Sequence, residues 1–180
     1  RHHELAAQPI KALLERSGVE AEAIELLTVG AVVQELDTTN VAREAGLAAG
    51  LPARMPAYSI CMAGISPAVG FANICDMIAL GRVNVAIAGG SENFSDIPIR
   101  MNRNVRQRAV KLATAKSAAE RLKIASGLRP GDLIPELPSS TDLTTGLTMG
   151  SACEAMVQRF GVSRIETDAF AARSHQSAAK

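Results

Sequence analysis

The sequence predicts an α/β fold with parallel neighbouring strands. Two observations carry that prediction. Strand-like runs at 24–33, 57–61 and 83–88 alternate with helix-patterned segments, and strand, helix, strand, helix, strand in that order favours parallel pairing. The segment 65–80 (ISPAVGFANICDMIAL) is helix-length, and only Ser66, Asn73 and Asp76 in it are strongly polar. A helix apolar on nearly every side must be buried on nearly every side. One sheet covers only one flank, so a second layer of protein must cover the other, and this chain alone need not supply it.

The elements follow in order. Residues 5–17 read as a helix whose face is Ile10, Leu13 and Leu14, with Pro9 shortening or kinking its first half and Gly18 ending it. Residues 24–33 (IELLTVGAVV) are apolar and β-branched, and read as a buried strand. Asp37 to Asn40 supply cap residues for a helix over 40–49, with Gly50 and Pro52 as stops. Residues 57–61 follow Pro56 and read as a short strand. The 65–80 helix carries Pro67 in its first turn, where a lost N–H costs little, and Gly81 closes it. Strand 83–88 then runs into Gly89 and Gly90.

The stretch 97–138 differs in character. Nine of its residues are Lys or Arg: Arg100, Arg103, Arg106, Arg108, Lys111, Lys116, Arg121, Lys123 and Arg129. Residues 105–125 are Ala-rich and helix-prone, and Pro130, Pro135 and Pro138 make the exit irregular. It reads as a helical insertion followed by a loop. Residues 149–160 form an amphipathic helix with Met149, Cys153, Met156 and Phe160 on one stripe. Ser163 to Glu166 is a capping box opening a last helix. That pattern is still running at Lys180, which suggests a fragment. The expected divisions are 1–96, 97–148 and 149–180.

Composition narrows the function. The 180 residues carry 19 Lys+Arg against 18 Asp+Glu, a formal charge of +1, which disfavours a globally basic nucleic-acid binder. Aromatics are 3%, so base-stacking platforms are scarce. No apolar run approaches the roughly 18 residues of a membrane span. No export signal is evident, and the three scattered cysteines fit a reducing compartment and no zinc pattern. A cytoplasmic location is the expectation. His2 and His3 have no third ligand nearby and read as a solvated end.

Chemistry is expected where strand 57–61 meets the helix after it. Cys61 is the thiol there: either a nucleophile helped by the helix dipole or a buried strand residue. Cys75 and Cys153 read as core residues. Gly89-Gly90-Ser-Glu92 suits a phosphate cradle or a tight turn. His175, the one His inside the chain, reads as solvated. The basic insertion could meet anionic lipid, a CoA phosphate or another subunit, or simply be solvated.

These residues resemble the thiolase family. Pro56-Ala-Tyr-Ser-Ile60, the helix to Gly81 and Ala86-Ile-Ala-Gly-Gly-Ser-Glu92 resemble the thiolase nucleophile strand, the helix behind it and the AGG-x-E segment. Thr145-Gly-Leu-Thr-Met-Gly150 and Asp168-Ala-Phe-Ala-Ala-Arg-Ser-His175 match later parts. The insertion and the Arg121-Leu-Lys…Gly-Leu-Arg129 region are most similar to the β-subunit type of trifunctional fatty-acid oxidation complexes. The resemblance implies half of an αβαβα layered fold with a helical loop-domain insertion. It also implies a first strand before Arg1 and a second half after Lys180 that carries a base His and a second Cys.

The implied activity is acyl-CoA C-acyl transfer: thiolytic cleavage of 3-ketoacyl-CoA, or condensation of acyl-CoA. Coenzyme A is a substrate, and no cofactor or metal is implied. Ungapped matching from Tyr58 to Gly81 puts Gly64 at the family's nucleophile position, Cys61 at a small polar position and Pro67 at a usual glycine. Ser66, Met149 and Gly150 fall on substrate-binding positions, with Thr148 where many thiolases have His, and Glu92 matches a structural residue. Cys61 is not expected to substitute, because three residues of extended strand span about 10 Å. Two alternatives stay open: a non-catalytic acyl-CoA-binding or scaffold subunit, and a decayed gene product. Expected partners are acyl-CoA or CoA, a second copy or a complementary thiolase half, and a fatty-acid oxidation multienzyme, with membrane contact through the basic insertion.

Overall fold

The computed structural model describes residues 1–33, 35–136 and 139–180, so Pro138 lies outside the described residues. The chain divides into two units, Arg1–Pro98 and Ile99–Lys180.

The first unit is built on a three-stranded, all-parallel sheet of order β2-β1-β3: β1 is Leu26–Gly30, β2 Ala57–Ile60 and β3 Ala86–Gly90. The central strand is shorter than the apolar run predicts, yet all five of its residues are buried. Its side chains alternate between faces, as the pleat requires. Leu27 and Val29 join a core with α1 (His2–Ser17) and α2 (Val41–Ala48), through Ala6, Ala7, Ile10, Ala42 and Ala45. Leu26 packs on the other face with Ile74 of α3 (Ser66–Ala79) and with Val83. The result is a helix–sheet–helix layering, consistent with half of a thiolase-like fold.

Several expectations change. His2 is not a solvated end: its side chain is buried, and its Nε2 lies 2.6 Å from the Ser91 carbonyl oxygen. That contact lets α1 begin three residues earlier than its sequence pattern. Pro9 neither shortens nor ends α1. A proline inside a helix costs about 3 kcal/mol, but burial of Ala6, Ala7 and Ile10 on both sides of it holds the helix together. Leu13 is exposed, because the buried stripe runs through the smaller residues. Asn40 caps α2 as expected, its Oδ1 accepting from Arg43 N at 3.1 Å. The third strand starts later than predicted and takes in Gly89 and Gly90, which are therefore strand residues and not a tight turn.

The largest departure concerns α3. Only Ser66, Gly70 and Ile74 of it are buried; Phe71 is 63% exposed, and Cys75 and Ile78 are exposed too. Among the described residues of the first unit the helix is covered on one flank alone, because a single sheet presents a single face to it.

In the second unit the basic, Ala-rich stretch forms two helices, α4 (Arg103–Thr114) and α5 (Ala118–Ala125). The break falls where Ser117 turns extended and accepts from Glu120 N at 3.2 Å, capping α5. Helix α6 is Met149–Phe160 and α7 is Arg164–Ala178. The capping box forms, with Ser163 N donating to Glu166 Oε2 at 2.8 Å; that N–H bond holds the Glu166 carboxyl below the usual carboxylate range. The apolar stripe of α6 is exposed at Met149, Cys153, Met156 and Phe160. Among the described residues no helix is long and apolar enough to cross a membrane.

Candidate functional site

In a parallel α/β sheet, ligands meet the carboxyl ends of the strands. Here those ends are Gly30, Ile60 and Gly90, and the first turn of α3 lies directly on two of them. Gly30 and Gly90 face each other across the β1–β3 ladder. A Cβ on Gly30 would fall 2.5 Å from Pro67 N, and one on Gly90 would fall 2.2 Å from Pro67 Cγ. Gly70, one turn on, approaches β1 so closely that a Cβ would fall 2.8 Å from Thr28 Oγ1. Three glycines thus clear the bed for α3, and Pro67 fills it. The cost is visible at Thr28, whose buried hydroxyl has no hydrogen-bond partner among the described residues.

Between Ile60 and Ser66 the chain makes a tight turn around one hydroxyl. Ser66 Oγ accepts from Met62 N at 2.7 Å and donates to Ala63 O at 2.6 Å. Ser66 N donates to the same carbonyl at 3.1 Å. Ala63 takes φ 48°, a left-handed conformation unfavourable by about 1–2 kcal/mol for a residue with a Cβ. Gly64 sits at the outside of this turn, exposed, and a Cβ built there meets nothing within 4 Å. A side chain at 64 would therefore stand open to solvent at the N-terminal end of α3, whose dipole stabilises negative charge.

The turn also corrects the reasoning about Cys61. The residues from 61 to 64 are not extended strand, so the separation of about 10 Å inferred from strand rise does not apply. Nor is Cys61 a buried strand residue. It lies past the end of β2 and is exposed, with Sγ 3.7 Å from Val32 O. Cys75 and Cys153 are exposed as well, so neither is the core residue that its helix pattern predicts.

The neighbouring loops are pinned by carboxylates. Glu92 Oε2 accepts from Val32 N at 2.7 Å and from Val33 N at 3.1 Å, tying the exit of β1 to the exit of β3. Glu35 Oε1 accepts from His2 N at 3.1 Å. Glu92 thus holds two strand exits together, in keeping with its structural reading. His2 was not legible as part of this frame; only its contact with Ser91, 89 positions away, reveals it.

Of the predicted site residues, Gly64 and Ser66 come together in the one turn. Ser66 is fully buried, and its hydroxyl is engaged by that turn on both its donor and an acceptor side. Met149 and Gly150 open α6 in the second unit, behind the cap Thr148, whose Oγ1 accepts from Ser151 N at 3.1 Å. Met149 is 87% exposed. His175 is exposed on α7.

Comparison with known proteins agrees with this architecture. A family model described as thiolase, N-terminal domain, matches residues 1–180. The mitochondrial trifunctional enzyme subunit beta of Mus musculus is 39% identical over 178 residues, which are 99% of this chain and 38% of that protein. A probable 3-ketoacyl-CoA thiolase of Caenorhabditis elegans is 41% identical over 177 residues, 98% of this chain and 40% of its own length. The crystal structure of the Bacillus anthracis acetyl-CoA acetyltransferase superposes with a TM-score of 0.69 at 26% identity, over 97% of this chain and 40% of that one. The chain thus spans about two-fifths of the length of these relatives.

Proposed function

The chain belongs to the thiolase family, and from that premise we propose that it supplies the N-terminal part of a thiolase-type acyl-CoA C-acyltransferase in which the acyl-accepting position is Gly64. Family chemistry needs a Cys thiolate to take the acyl group, hydrogen-bond donors for the oxyanion, and a second Cys/His pair to move protons. Gly64 offers no nucleophile. One observation carries the reading: the turn around Ser66 holds position 64 at the N-terminal end of α3, with space for a side chain that the residue there does not have. This chain by itself therefore forms no acyl-enzyme at 64. Met149 and Gly150 are the residues proposed to contact substrate; Ser66, matched to a substrate-binding position but buried and engaged within its own turn, is proposed to hold that turn.

A second reading has its own support. Cys61 is exposed at the same turn, so a thiol lies in the neighbourhood even though position 64 lacks one. Intact-mass analysis of the full chain after incubation with acetyl-CoA, followed by peptide mapping, separates the two. No added acyl group, together with measurable CoA binding, supports a binding or scaffold subunit. An adduct on Cys61 overturns the non-acylating reading. Gly64→Cys should fold normally and accept an acyl group where the rest of the pocket is intact.

The exposed flank of α3 supports association. Phe71, Cys75 and Ile78 form an apolar strip of the sort that soluble monomers rarely leave open, and a second copy or a complementary thiolase half is the proposed cover. A monodisperse monomer in light scattering would count against this. Membership of a fatty-acid oxidation multienzyme rests on the likeness to a trifunctional enzyme subunit. For location, the three exposed cysteines suit a reducing interior. The mouse relative is named as mitochondrial, which takes the reading beyond the plain cytoplasm expected from sequence.

A further inference from the structure

We draw no further inference here: the strongest candidate, the apolar groove of about 140 Å³ between α1 and the edge strand β3, lined by Pro9, Leu13, Ile87 and Ala88 among others, carries nothing because nothing in the structure shows what covers it.

Discussion

Replacing Gly90 by alanine tests how α3 is seated over the sheet. The added Cβ would lie 2.2 Å from Pro67 Cγ, 3.0 Å from Pro67 Cβ and 3.2 Å from Gly30 O, where unstrained carbon atoms keep about 3.5–4.0 Å apart. The proline ring cannot rotate away, because its φ is locked, so the helix itself must lift. Overpacking of this sort costs about 1–3 kcal/mol. The stiffer unfolded chain returns about 0.4–1 kcal/mol. The net expectation is a loss of about 1–2 kcal/mol, or about 5–15 °C in the melting temperature of a unit this size.

Tyr58 is the one tyrosine, the chain has no tryptophan, and Tyr58 lies on β2. Tyrosine fluorescence during urea unfolding therefore reports on the first unit alone. The decisive step is a double-mutant cycle with Pro67→Ala. Removing the ring should recover much of the loss at Gly90, whose clash is with the proline side chain. It should recover little at Gly30→Ala, whose Cβ would meet the backbone at Pro67 N, 2.5 Å, and Ser66 C, 2.6 Å. If Gly90→Ala is as stable as the wild type, or if Pro67→Ala rescues both glycine variants equally, the packing argument is wrong.

Ser66→Ala removes the one hydroxyl around which the 62–66 turn is folded, and should cost about 1–3 kcal/mol by stranding Met62 N, while Ala63 O keeps its bond from Ser66 N; an unchanged urea midpoint would show that the turn holds itself. Glu25 accepts from Asn84 N at 2.7 Å and from its Nδ2 at 3.1 Å, and these bonds, the backbone one foremost, hold its carboxyl below the usual 4.5. A lowered folded value means that the stabilisation is full above pH 4.5 and is lost as the pH falls through the lower folded value. The advantage of the wild type over Glu25→Gln in thermal melts should therefore be present at neutral pH and fade in acid, and a difference independent of pH would refute the assignment.

The order and kind of the elements were open to reading from the chain alone because their signals are local. The β-branched run around Val29, the Asn40 cap, the Ser163–Glu166 box and the stop at Gly81 each act within a few residues. Gly64 also belongs to that level, since a residue type at a motif position is a property of sequence. What folding adds lies in contacts between distant positions. His2 is buried only because Ser91 comes to meet it, and Gly30 and Gly90 matter only because Pro67 lands on both. Cys61 leaves the strand because Ser66 curls the chain at 62–63. The bare flank of α3 has the same origin: hydropathy states how much surface a helix wants covered, and only the count of layers around it determines how much is.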